Sequence, residues 1–131
     1  MTIRYRLGND LDPAAVSALY SAAGLKRPAD LARLAAMYRA SNLVISAWDG
    51  ERLVGVARSL TDFRYACYLS DLAVDAAYQR EGIGKRLIEE TEKHLGEESM
   101  LLLLAAPTAE GYYPHLGFSP VTNGWIKLRR K

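Results

Sequence analysis

The residues of this chain best arranged for chemistry are Gln79-Arg80-Glu81-Gly82-Ile83-Gly84, with Lys85 and Arg86 directly after them. Two glycines at the entrance to a helix let a ligand approach the main chain, because no Cβ stands in the way. The first turn of a helix carries N–H groups with no partner inside the helix, and its positive end favours an anion. A strand running into such a turn can cradle a phosphate, and Arg80, Lys85 and Arg86 would add positive charge at its rim. Two well-known phosphate loops do not fit. The P-loop needs glycine where Gln79 stands and Ser or Thr where Arg86 stands, and the dinucleotide fingerprint started at Gly82 needs glycine in place of Leu87. A helix start with no ligand is the competing reading of two glycines alone.

Other reactive side chains are few. The lone cysteine, Cys67, follows the alternation of its strand and is read as packing, and no Cys/His/Asp arrangement supports covalent catalysis. One cysteine excludes an intramolecular disulfide, and two histidines cannot complete a Cys/His zinc cluster. His94 falls in the last turn of a helix, where it favours the dipole. His115 is read as a surface residue.

The elements that must hold the cradle are legible in the hydrophobic pattern. Residues 3–7 alternate as a half-buried strand does. Asp12-Pro13 reads as a cap and first residue of a helix whose stripe is Val16, Leu19, Tyr20 and Ala23, with Gly24 as its stop. A second stripe follows in Leu31, Leu34, Ala35 and Tyr38. Leu43, Ile45 and Ala47 mark a strand that Asp49-Gly50 turns into a return strand over residues 52–60, and residues 66–74 form a longer one. Then the period changes: Ile83, Leu87, Ile88, Thr91 and Leu95 lie on one helical face, with Gly96 as the stop. The apolar run from Met100 to Ala106 suits a strand covered on both faces. Thr108 would cap a helix through Leu116, and residues 118–128 would supply one or two closing strands. The result is a mixed α/β domain, with a parallel crossover in an otherwise antiparallel sheet.

Composition bounds the function. The chain has 131 residues, half of them hydrophobic and 24% charged, which the size prior makes one globular domain over residues 1–131. The longest apolar run is far too short to cross a bilayer, and the N-terminus has no signal-peptide core. A cytoplasmic setting without a membrane follows as the expectation. The net charge of +2 is too small to argue for a nucleic-acid partner, and the basic run Lys127-Leu128-Arg129-Arg130-Lys131 is read as solvated.

Taken together, these residues carry a resemblance. Gln-x-x-Gly-x-Gly, entered from Leu72-Ala73-Val74, resembles the acetyl-CoA loop of the GCN5-related N-acetyltransferase (GNAT) superfamily. About thirty residues on, Gly111-Tyr112-Tyr113-Pro114-His115-Leu116-Gly117-Phe118 is similar to that family's aromatic-Tyr-x-x-x-Gly-Phe segment. The order of elements along the whole chain fits as well. The resemblance implies a GNAT fold and an acetyl-CoA-dependent N-acetyltransferase that acts by direct attack in a ternary complex, without a metal. It implies that Leu72, Ala73 and Val74 pair with the pantetheine arm as an added strand would. The Val74 N–H would polarise the thioester carbonyl. The amides of Arg80, Glu81, Gly82, Ile83, Gly84 and Lys85, behind Gln79, would hold the pyrophosphate. Tyr113 would protonate the departing thiolate. Two departures stand out: Ala105-Ala106-Pro107 replaces a frequent pantetheine-binding asparagine, and Pro114 can kink the last helix.

An ammonium acceptor must lose a proton before it can attack. Asp71 is the positional candidate for the base. Strand alternation sets it opposite Tyr68, Ser70 and Leu72, and periodicity leaves open which set faces the acceptor. Acceptor walls are expected from the first two helices and the connection between them, with Tyr20, Leu25, Leu31, Tyr38, Phe63, Tyr68 and Ser70 as candidates. No acidic cluster suggests a polycationic acceptor. The acceptor expected is a small-molecule amine; a peptide N-terminus, a lysine, or CoA binding without transfer are the alternatives. Homodimers are common among similar proteins, and nothing in the sequence locates an interface.

Overall fold

The Asp12 carboxylate accepts the Ala14 N–H at 3.0 Å and Pro13 takes the first helical position, so helix α1 (Pro13–Ala23) begins where its cap dictates. Gly24 ends it at φ 74°, a left-handed conformation that suits a residue without Cβ. Asp30 caps helix α2 (Leu31–Ala40) in the same way, through the Ala32 N–H at 2.9 Å. The computed structural model describes residues 2–131, with Thr108 described by its backbone alone.

Five strands make one sheet in chain order: β1 (Ile3–Leu7), β2 (Leu43–Asp49), β3 (Arg52–Thr61), β4 (Ala66–Val74) and β5 (Met100–Leu103). The first four pair antiparallel, and Gly50, at φ 59°, turns β2 into β3. Helix α3 (Ile83–Leu95) carries the crossover to β5, which pairs parallel to β4. The α1/α2 layer packs Val16, Leu19 and Leu34 against Val44 and Val56 on one face. On the other face α3 packs Ile83, Leu87 and Ile88 against Leu43, Ile45 and Leu69. Each such side chain removed from water contributes about 1.5–3 kcal/mol. Gly55 permits the close approach of α3, since a Cβ there would stand 3.1 Å from Leu87 Cδ1.

Strand β4 is irregular in two respects. Arg58 pairs with Asp71 and Ser59 with Leu69, so Ser70 is an extra residue, a β-bulge. Cys67 and Leu69 face α3 before the bulge, and Leu72 and Val74 face it afterwards. Ala73 belongs to the α1/α2 side. Asp71 therefore shares the α1/α2 side with Tyr68, where strict alternation expects them opposed. The second irregularity is a parting of strands. β5 accompanies β4 only from Ala66 to Leu69, which leaves the edge of β4 from Ser70 to Val74 without a neighbouring strand.

Two expectations fail near the C-terminus. The last helix is two 3₁₀ turns, Pro107–Ala109 and Tyr113–Leu116, each with proline near its start. Pro114 cannot donate the bond that would continue a helix through Tyr113. The cap expected from the Thr108 side chain lies outside the described residues. Residues 118–128 form no strand either; the tail reaches α2, where Arg33 Nη2 donates to the Lys131 carbonyl at 3.1 Å. An apolar segment makes a strand only where a backbone edge pairs with it and a face covers it. Here Trp125 is 96% exposed.

Candidate functional site

Where β4 and β5 part, a cleft of about 760 Å³ opens. Leu72 and Val74 line one side and Leu104 and Ala106 the other, with the start of α3 at one end and Leu25 and Arg27 at the opposite end.

The main chain of β4 is directed into this cleft. The Asp75 N–H donates to the Val54 carbonyl at 2.9 Å, toward β3. In an antiparallel ladder every second residue turns the same way, so Ala73 also bonds toward β3 while Leu72 and Val74 turn their N–H and C=O to the cleft. Ala73 also lines the cleft, but its main chain bonds toward β3 and is not open to an added strand, unlike the expectation for it. Gln79 is also occupied: its side-chain Nε2 donates to the Val74 carbonyl at 3.0 Å, tying the loop to the strand.

The start of α3 has the unpaired donors that its sequence promises. Gly82 precedes it at φ 81° and gives no side-chain cap. The first internal bond runs from the Arg86 N–H to the Gly82 carbonyl at 3.0 Å, which leaves the N–H groups of Ile83, Gly84 and Lys85 without an intrahelical acceptor. Arg80 takes φ 67°, strained for a residue with a side chain. Arg80, Gly82, Gly84 and Lys85 all line the cleft. The side chain of Ile83 is buried in the core, so only its main chain serves this turn, and Glu81 is not part of the lining.

Tyr112 and Tyr113 come to the same cleft from the 3₁₀ turns. Tyr113 packs edge-on against Phe118, with ring centroids 5.6 Å apart. Burial, and then the neighbouring Tyr112, push its phenol up, so it holds its proton at neutral pH. Tyr112 lies over the start of α3.

Asp71 is fully buried, between two guanidinium groups. Its Oδ1 accepts from Arg27 Nε at 2.5 Å, and its Oδ2 accepts from Arg58 Nε at 2.6 Å and the Tyr20 hydroxyl at 2.7 Å. Burial alone would raise its carboxyl, but the Arg58 hydrogen bond and charge, with Tyr20 and Arg27, outweigh it and hold the group below the ordinary aspartate range. A carboxylate so occupied and so acidic is not placed to take a proton from an amine, which corrects the reading of Asp71 as base.

Tyr20 belongs to this cluster and not to a substrate wall. Its hydroxyl lies 2.5 Å from that of Tyr38, whose phenol burial pushes up to about 12. Leu25 and Ser70 do line the cleft, but Tyr68, Leu31 and Phe63 do not. His94 donates from Nδ1 to the Glu90 carbonyl on its own helix, and Cys67 is buried. Sequence reasoning passed over Arg27, Arg58 and Tyr112. Adjacent polar residues, Ser70-Asp71, in an apolar strand were the one available signal of the bulge that organises them.

The sequence pattern of the Acetyltransferase (GNAT) domain matches residues 16–126. The chain belongs to the GNAT acetyltransferase family. This GNAT chain is 30% identical over 135 residues to Probable acetyltransferase TAP2 of Glycine max, covering 93% of itself and 54% of that protein. It spans about half the length of the curated relatives it matches. Among solved structures, SA2161 of Staphylococcus aureus, a probable acetyltransferase, superposes with a TM-score of 0.86 at 20% identity, covering 98% of this chain and 99% of that one. The aminoglycoside acetyltransferase AAC(6')-Iy, solved with a bisubstrate analogue of CoA and acetylneamine, gives 0.74 at 18% identity over 100% and 99% of the two chains. These two likenesses bear on fold. Among the described residues no helix is long and apolar enough to cross a membrane.

Proposed function

We propose that this GNAT chain is an acetyl-CoA-dependent N-acetyltransferase that moves an acetyl group to the primary amine of a small molecule by direct attack in a ternary complex. One observation carries the reading: the strandless edge of β4 leads directly to the unpaired N–H groups of α3. The residues present suit a CoA thioester. Amides at Ile83, Gly84 and Lys85, with the Arg80 and Lys85 side chains, suit a diphosphate, and the edge at Leu72 and Val74 suits an amide-bearing arm lying alongside it.

In this reading one role moves along the strand from where the sequence resemblance sets it. Val74 Cγ2 lies 3.8 Å from where a Gly84 Cβ would be, which puts Val74 at the phosphate end. Leu72 is two residues, roughly 7 Å, farther in. Its N–H is the better donor to a thioester carbonyl, and the Val74 N–H is left for the arm. The neutral amine nitrogen forms a bond to the carbonyl carbon, the C–S bond breaks, and Tyr113 gives its proton to the sulfur. The amine proton passes to water, since the cleft lining holds no Asp or Glu among the described residues. The connection between α1 and α2, carrying Leu25 and Arg27, covers the acceptor end and favours a small acceptor over a folded protein surface.

Calorimetry with acetyl-CoA and CoA, followed by thiol release over a panel of small amines and peptides, tests the reading. Binding together with turnover of a small amine is expected. Failure of folded protein to bind either CoA form would overturn it, and binding with turnover of peptides alone would overturn the choice of acceptor.

A further inference from the structure

The cluster beneath the acceptor end of the cleft has unbalanced charge. Asp71 carries one negative charge and is bonded to two guanidinium groups, Arg58 and Arg27. The two phenols beside it, Tyr20 and Tyr38, stay neutral, because burial pushes both well above their ordinary range. The cluster therefore keeps one net positive charge around a carboxylate that is itself fully buried.

That charge has an outlet. The Arg58 side chain is buried and is not part of the cleft lining; its Nη1 donates to Ser41 Oγ at 3.0 Å and its Nη2 to Ser70 Oγ at 2.8 Å. Arg27 is 27% exposed and lines the cleft. Its Nε donates to Asp71, Nη2 to the Ser70 carbonyl at 2.9 Å and Nη1 to the Lys26 carbonyl at 2.7 Å. A guanidinium has five N–H donors and three are used here, so one hydrogen remains on each Nη, and charged donors of this kind suit a carboxylate. The cleft lining supplies no Asp or Glu to meet them among the described residues, and the other cations of the lining, Arg80 and Lys85, stand at the far end beside α3. The Ser70 carbonyl that holds Arg27 is two residues from Leu72, so the guanidinium is held close to the reacting end of the strand. Leu25, Leu69 and Leu104 supply apolar surface around it.

We propose that Arg27 is a specificity-determining residue whose remaining Nη hydrogens, with the one positive charge that the Arg27–Arg58–Asp71 cluster leaves uncompensated, bind a carboxylate on the acceptor. The preferred substrates are then apolar amino acids or similar aminocarboxylates, and polycations are disfavoured. The inference rests on the proposed acetyltransferase activity and sharpens its acceptor. An ammonium alone meets like charge at this end of the cleft, whereas an acceptor that also brings a carboxylate neutralises it.

Matched pairs that differ only in the carboxylate test this: L-leucine against 3-methylbutylamine, and L-phenylalanine against 2-phenylethylamine, with spermine as the polycation. The wild-type chain is expected to favour the carboxylate member in kcat/KM by about tenfold or more, the effect of one charge-assisted hydrogen-bonded pair. Arg27→Gln should bring the ratio near one, and Arg27→Lys should restore part of it. A merely structural role for Arg27 would lower both members alike and leave the ratio intact. Equal or better turnover of the bare amines or of spermine, an unchanged ratio in Arg27→Gln, or no turnover of either member by protein that binds acetyl-CoA would each overturn the proposal. Loss of acetyl-CoA binding itself would instead strike the underlying activity, and calorimetry on the same samples separates the two.

Discussion

The Tyr112 hydroxyl lies so close over Gly84 that a Cβ at that glycine would stand 2.6 Å from it. The tyrosine comes from a 3₁₀ turn and the glycine from the first turn of α3, so this contact joins the two halves of the cradle. Gly84→Ala must push the ring aside, since the contacted atom is the far end of a side chain. Thermal denaturation of Gly84→Ala, Tyr112→Phe and the double variant should give a non-additive cycle, with a coupling of about 0.5–1 kcal/mol. Strict additivity would mean that the two residues do not meet in solution.

Asp71→Asn should destabilise the fold by about 3–5 kcal/mol at neutral pH, because two guanidinium groups lose their shared buried counter-charge. The same group sets an acid limit. Its carboxyl is more acidic folded than unfolded, where it titrates near about 3.9. Its contribution is thus complete above the unfolded value and is lost as pH falls through the folded one. Urea denaturation between pH 6 and 2 should show the wild-type chain losing stability below about pH 4, with a shallower fall in Asp71→Asn. Parallel slopes in the two proteins would remove Asp71 from the acid response.

Tyr113→Phe should lower kcat by about a hundredfold or more while acetyl-CoA affinity changes little, since removing a general acid acts on the transition state. Its raised phenol also predicts that turnover does not fall from loss of this proton until the pH passes about 10, its unperturbed value. An unchanged kcat in the phenylalanine variant would take Tyr113 out of the reaction.

How far the sequence could be read depended on the range of the interaction. The loop from Gln79 to Gly84 was legible because its chemistry is local: glycines, a strand behind and an amphipathic helix ahead. Asp12 and Gly50 announced a cap and a turn for the same reason. The role of Asp71 was not legible. It depends on Arg58, 13 residues away, and Arg27, 44 residues away, and on a bulge that no simple period contains. The C-terminal segment misled in the opposite way. Its apolar residues Val121, Trp125, Ile126 and Leu128 are a local signal, but a strand also needs an edge to bond and a layer to cover it, and sequence alone states neither.

Cys67 carries the molecule's sole sulfhydryl, and it is 1% exposed, held between β3 and the α3 layer where burial raises its pKa. Aryl disulfide dyes react with thiolates that they can reach. In the folded protein such a reagent would therefore leave Cys67 untouched and titrate only the CoA thiol that the proposed turnover liberates. Once the sheet opens, Cys67 would release one coloured aryl thiolate per chain, so one absorbance trace could count the proposed turnovers and, under denaturant, molecules lost from the folded population.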